Sequence, residues 1–176
     1  MRVLVTGASG FLGGHLLEAM SRGDHEVMAA VRSTSDTDLI DSLGVETRIM
    51  DLRDRESMVR ATRGVEMVIH LGAYYTFTGR RDMYRRVNVE GTKALLEACR
   101  ENGVDRMLYC SSTEAIGPVS NPPADEEHPP NPSYEYGRSK LEAESLVRSF
   151  RDMGVNHTIL RPSGIYGPRN VDDVAY

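Results

Sequence analysis

The chain begins MRVLVTGASGFLGG, and this stretch restricts the fold more than any other. A short apolar run, Val3-Leu4-Val5, meets glycines at Gly7, Gly10 and Gly13, and an amphipathic segment over residues 15–20 follows at once. The order reads as strand, tight turn, helix. Gly7 lets the chain turn sharply off the strand, Gly10 lets backbone come close to a diphosphate, and Gly13 lets the helix pack tightly on the sheet. The free N–H groups and positive dipole end at the helix start would face the anion. A glycine-rich turn with no ligand is the alternative. It leaves unexplained why three residues that each weaken a helix or strand relative to alanine sit at one helix start.

Strand and helix signals then alternate. Glu26–Val31 reads as a second strand, residues 36–43 as a short helix and 45–50 as a third strand ending in Asp51-Leu52. Residues 55–63 read as a helix, and 67–71 as a fourth strand ending in Gly72-Ala73, where small residues allow close approach. His70, in that strand, reads as a packed or backbone-bonded side chain. The segment YYTFTGRR over residues 74–81 is a loop that could overhang a site. Residues 82–102 form a long helix carrying Asn88 on an apolar stretch, where a buried amide needs partners at both ends. Arg106–Cys110 is a fifth strand, followed by Ser111-Ser112-Thr113. Residues 117–133 hold six of the chain's eight prolines and read as a long loop, suited to a lid or substrate rim. A helix runs from about 133 to 152, and residues 154–160 give a sixth strand. Such alternation predicts an α/β fold with a doubly wound parallel sheet and helices on both faces.

Two positions bear on ligand choice. A carboxylate after the second strand would accept from a ribose 2′-hydroxyl; here Arg32 stands there, and a guanidinium pairs with a 2′-phosphate. That favours NADP over NAD, although a surface arginine after a strand reads the same way. Asp51 could accept from an adenine amino group, with Leu52 flanking the ring, or could serve as a helix cap. On the last long helix, Tyr136 and Lys140 are four residues apart and share a face. An ammonium beside a phenol stabilises phenolate and suits proton transfer at a carbonyl or hydroxyl.

Composition narrows the classes. The formal net charge is -5, so no basic face recommends a nucleic-acid partner, and no apolar run is long enough to span a membrane. Neither leader signature nor metal-ligand spacing is evident, and Cys99 and Cys110 read as buried or neutral thiols of a cytoplasmic protein.

Taken together, TGASGFLG, Asp51-Leu52, HLGA, VNVEGT, CSSTEAIG, YEYGRSK and LRPSGIYGP resemble the extended short-chain dehydrogenase/reductase superfamily, and more narrowly its NAD(P)-dependent epimerase/dehydratase family. The resemblance implies a Rossmann sheet of order 3-2-1-4-5-6 over residues 1–168, with the site at its carboxyl edge. It implies Tyr136 as acid/base, Lys140 as its partner and a holder of the nicotinamide ribose, and Ser112 bonding the reacting oxygen, with Ser111 and Thr113 as fallbacks. Asn88 would hold the site's geometry. Cofactor contacts would come from Gly7, Gly10, Phe11, Leu12, Gly13, Arg32, Asp51, Leu52, Leu71, Gly72, Ala73, Tyr136, Lys140 and Pro162. Hydride would pass between nicotinamide and a nucleotide sugar or small carbonyl or alcohol substrate. No metal is expected, and a homodimer through the two long helices is. Family members run on well past Pro168, so residues 169–176 would begin a substrate region otherwise largely absent. A non-catalytic NADP-binding or redox-sensing module, or an inactive fragment, is the competing reading; Ser112, Tyr136 and Lys140 together argue for the enzyme.

Overall fold

The computed structural model describes residues 1–76 and 80–170. Residues 77–79 of the expected overhanging loop, and most of the expected start of a substrate region, lie outside them. Six parallel strands, β1 (Arg2–Thr6), β2 (Glu26–Val31), β3 (Glu46–Ile49), β4 (Met67–His70), β5 (Arg106–Cys110) and β6 (Asn156–Leu160), form one sheet of order β3-β2-β1-β4-β5-β6. The order reverses between β1 and β4, the point at which an open parallel sheet leaves a crevice outside its carboxyl edge.

Strand residues alternate between two cores, as a sheet covered on both faces requires. Val3, Val5, Val27, Ala29, Val31 and Ile69 pack with Leu17 of helix α1 (Phe11–Met20) and Ile40 of α2 (Asp38–Ser42). Leu4, Met28, Ala30, Val68, Met107 and Tyr109 face the other way, against Met58 of α3 (Arg55–Ala61), Leu95 and Leu96, and Ala143 and Val147. Asp54 caps α3 by accepting from the Glu56 and Ser57 amides, so the cap considered for Asp51 belongs to its neighbour three residues on.

The expected helix over residues 82–102 is continuous but not uniform. Arg81–Met83 (α4) and Thr92–Glu101 (α5) are α-helical, and Tyr84–Gly91 between them is π-helical. Such wide turns are rare and frequently stand at functional sites. A Cβ on Gly91 would lie 2.7 Å from the Leu52 carbonyl oxygen, so this helix abuts the chain leaving β3. The last long helix, α6, spans Glu135–Ser149 and tightens into a single 3-10 turn, Arg151–Met153, ended by Gly154 at φ 94°. It is shorter at both ends than its sequence pattern suggests.

Candidate active site

The turn after β1 is built around close backbone contact. Gly7 has φ +67°, and a Cβ there would lie 2.7 Å from the Gly72 amide nitrogen at the end of β4. On Gly13 a Cβ would lie 2.2 Å from the Gly7 carbonyl oxygen, so only glycine lets α1 seat on its own entry loop. Gly10 caps α1 without a side-chain hydrogen bond, and no acidic residue occupies the first helical turn. Nothing in the helix's own first turn therefore offsets its positive end.

Beside this turn runs a groove of about 430 Å3 across the carboxyl ends of β1, β2 and β4. Of the residues singled out from sequence, Gly7, Gly10, Arg32, Asp51, Leu52, Leu71, Gly72 and Ala73 line it. Phe11 instead borders an adjacent hollow of about 280 Å3, its ring edge-on to His15 with centroids 5.2 Å apart. Leu12 and Gly13 belong to α1 and not to the groove wall, and the Pro162 carbonyl accepts from the Thr113 amide. Arg32 is exposed at the groove's β2 end. Asp51 is already engaged: Arg53 reaches Oδ2 at 2.6 Å and Oδ1 at 3.0 Å, and its backbone amide also reaches Oδ1. These bonds, the guanidinium's first, outweigh burial and hold the Asp51 carboxyl below its ordinary range. Arg53 lines the groove too, and sequence reasoning passes over it.

At the other end, α6 brings Tyr136 and Lys140 to the end of β5. Lys140 is 2% exposed; its Nζ donates to the Cys110 carbonyl at 2.6 Å and stands 4.5 Å from the Tyr109 ring centroid and 6.0 Å from that of Tyr136. Burial brings its pKa down to about 8, opposed by Cys110 and Glu144. Burial also raises both cysteine thiols, Cys99 to about 12, so neither is nucleophilic. Ser112 caps the 3-10 turn Thr113–Ala115 by accepting from the Glu114 amide at 3.1 Å, and it is half-buried. Of the fallbacks, Ser111 is buried beside Glu144 and Thr113 is exposed. The Ser112 turn and α6 meet at Gly137.

Asn88 is fully engaged. Its Oδ1 accepts from the Tyr74 amide at 2.6 Å, and its Nδ2 donates to the Tyr74 carbonyl at 3.0 Å and to Ser139 Oγ at 2.9 Å. Ser139 in turn donates to the Tyr136 carbonyl at 2.7 Å. Tyr75 and Tyr84 flank Tyr136, with ring centroids 4.8 and 6.4 Å away. Of the two readings of His70, packed or backbone-bonded, the ring is packed, and it bonds to side chains: Thr6 Oγ1 is 2.7 Å from Nδ1 and Thr92 Oγ1 is 3.0 Å from Nε2. Sequence reasoning also misses the ion pair of Glu144 with Arg161, because the two residues lie on different elements and only the fold joins them.

A groove at the reversal of a parallel sheet has glycines at one end, and a Tyr-Lys pair that is not part of its lining stands at the end of β5. The model of the NAD dependent epimerase/dehydratase family matches residues 3–175. The chain belongs to that family. It is 38% identical over 96% of its length to sterol demethylase protein B of Methylococcus capsulatus, covering 52% of that protein. It is 34% identical over 98% of its length to the N-acetyl-alpha-D-glucosaminyl-diphospho-ditrans,octacis-undecaprenol 4-epimerase of Escherichia coli O157:H7, covering 51% of it. Among solved structures, UDP-glucose 4-epimerase of Thermus thermophilus in complex with NAD superposes with a TM-score of 0.87 at 34% identity, covering 96% of this chain and 57% of that one. The chain therefore spans about half the length of the curated relatives it matches. Among the described residues, no helix is long and apolar enough to cross a membrane.

Proposed function

We propose that residues 1–168 form the cofactor-binding and proton-transfer half of an NAD(P)-dependent oxidoreductase or epimerase, acting on a nucleotide sugar or a small carbonyl or alcohol. The observation that carries the reading is the position of Tyr136, Lys140 and Ser112 at the carboxyl edge of β5, beyond a groove whose glycine-lined end leaves a helix N-terminus uncapped.

The groove fits a dinucleotide. A Cβ on Gly72 would lie 3.2 Å from Thr6 Oγ1 and 3.4 Å from the Gly7 amide, so glycine keeps that wall open. Gly7, Gly10 and the first turn of α1 would hold the diphosphate; Asp51, Leu52 and Arg32 would hold the adenosine. Arg32 and Arg53, both in the groove wall, support NADP as the preferred form, since a 2′-phosphate gains from guanidinium partners. When bound, the cofactor supplies hydride exchange with a substrate carbon. The chain's own residues supply the rest: Tyr136 gives or takes the proton at the substrate oxygen, Ser112 hydrogen-bonds that oxygen, and the Lys140 ammonium favours the phenolate. The backbone bond to Cys110 and the Tyr109 ring fix where that ammonium stands. We further read the protein as cytoplasmic, and as a homodimer through α5 and α6.

Fluorescence titration with NADPH and NADH in parallel tests the assignment. Tighter NADPH binding, reduced about tenfold in Arg32→Asp by loss of a charge-assisted contact, is the expected result. Equal affinities would remove the NADP preference, and binding of neither would remove the cofactor reading.

A further inference from the structure

Thr6, His70, Thr92 and Asn88 are each at most 2% exposed, and they make one continuous hydrogen-bonded row. The Gly72 amide donates to Thr6 Oγ1 at 3.1 Å; Thr6 Oγ1 is 2.7 Å from His70 Nδ1; His70 Nε2 is 3.0 Å from Thr92 Oγ1; and Thr92 Oγ1 donates to the Asn88 carbonyl at 2.7 Å. Proton counting assigns a direction to every link. A threonine hydroxyl has one proton, and that of Thr92 goes to the Asn88 carbonyl, which can only accept. Thr92 must therefore accept from His70, so the ring proton is on Nε2. Burial, aided by the Lys140 charge, brings the His70 pKa down to about 3, and the ring is neutral. Nδ1 then carries no proton and accepts from Thr6, whose oxygen still accepts from Gly72.

The row joins two regions that the chemistry must bring together. Gly72 is in the groove wall, against Gly7. Asn88, in the π-helical segment, grips Tyr74 and reaches Ser139, which holds the Tyr136 carbonyl. A rigid ring with a donor on one side and an acceptor on the other spans β1 and the long helix, and imidazole offers both at once. We infer that neutral His70, protonated on Nε2, is a positioning residue that ties the wall of the dinucleotide groove to the helix turn carrying Tyr136. The inference rests on the reading of that groove as the cofactor site.

Two measurements on the whole chain test it. The first is a long-range proton–nitrogen spectrum of the histidine rings, with His70→Gln used to assign the signal. A neutral ring protonated on Nε2 down to pH 5 is expected; a proton on Nδ1, or a charged ring at pH 6, overturns the inference. The second compares Thr92→Val with Thr92→Ser, each checked for wild-type thermal unfolding, by NADPH and NADH titration. Thr92 is outside the groove wall, yet loss of its hydroxyl should weaken binding about fivefold, the equivalent of one hydrogen bond, while serine retains affinity. Wild-type affinity in the valine variant, or equal loss in both, overturns it. If the wild-type chain binds neither cofactor, the functional reading falls, and the ring spectrum alone decides the His70 row.

Discussion

Lys140 donates to the Cys110 carbonyl at 2.6 Å from a position with almost no solvent contact, so its ammonium is held by a backbone oxygen and an aromatic face, with no ion pair among the described residues. Glu144, one helical turn on, is turned to Arg161 instead. The lysine is therefore an incompletely compensated buried charge, which is why burial brings it down to about 8.

A stability profile follows from that depression. Below pH 8 the lysine is charged in both folded and unfolded chains, and the burial cost is carried in full. Between pH 8 and the unfolded value of 10.5 the folded chain binds fewer protons than the unfolded one, so this group makes stability rise with pH. The limiting slope is about 1.4 kcal/mol per pH unit. Urea unfolding of wild type and Lys140→Met at pH 7 and pH 9.5 isolates it. The methionine variant should be the more stable at pH 7, and its advantage should shrink at pH 9.5. A constant difference would mean that Lys140 keeps its ordinary pKa.

Glu144 and Arg161 make a second buried electrostatic unit. The glutamate side chain is 2% exposed and the arginine 16%, with paired contacts of 2.9 and 2.7 Å, and Arg161 also reaches the Glu126 carbonyl in the proline-rich loop. Burial opposes the Glu144 charge, but the bonds from Arg161 outweigh it and keep the carboxyl below its usual range. Removing one partner leaves a buried charge poorly compensated, since Arg148 reaches Glu144 only at 3.8 Å, so Glu144→Ala or Arg161→Ala should cost about 3–5 kcal/mol. Replacing both by methionine should cost far less. Urea midpoints decide; single variants within about 1 kcal/mol of wild type would mean the pair is solvated in solution.

Gly137 sets the distance between α6 and the turn that Ser112 caps. A Cβ there would meet the Glu114 carbonyl oxygen at 2.2 Å and Pro132 Cβ at 3.1 Å. The obstructing atom is backbone in the turn that Ser112 caps, so it cannot swing aside. Gly137→Ala should therefore move α6 away from that turn and cost about 1–3 kcal/mol. Amide exchange should quicken locally at Ile116 and Gly117, whose N–H groups bond back to Thr113. Unchanged exchange there would show that the strain is absorbed elsewhere.

How far the sequence anticipates this site depends on the range of each interaction. The succession of strands and helices is legible because apolar runs and glycine punctuation are local signals, whereas the sheet order follows only from the family resemblance. Tyr136 and Lys140 are legible as an i, i+4 pair. The π-helical turns around Asn88 are not, since nothing in YRRVNVEG departs from a helical pattern until Leu52 comes against Gly91. In sequence His70 reads as packed or backbone-bonded because its partners, Thr6 and Thr92, are 64 and 22 residues away. Asp51 reads as an adenine acceptor or a helix cap because sequence spacing does not show that Arg53 folds back on it.

That last contact supports a prediction about cofactor choice. Arg53 neutralises Asp51 in the groove wall, and Arg32 stands in the same wall, its charge also acting on Asp51. With Arg53 present, this end of the groove offers guanidinium charge and a carboxylate already occupied. Without it, Asp51 keeps only the charge of Arg32 as compensation, and is able to accept from a ribose hydroxyl and repels a phosphate. Arg53→Ala should shift preference toward NADH by about threefold to fivefold, the scale of a partly exposed charge contact. Pairing it with Asp51→Asn should cancel most of the shift, because the repelling carboxylate is then gone. Parallel NADPH and NADH titrations of the two variants measure this. An equal loss for both cofactors in Arg53→Ala would mean that Arg53 acts on the diphosphate or adenine and not on the ribose substituent.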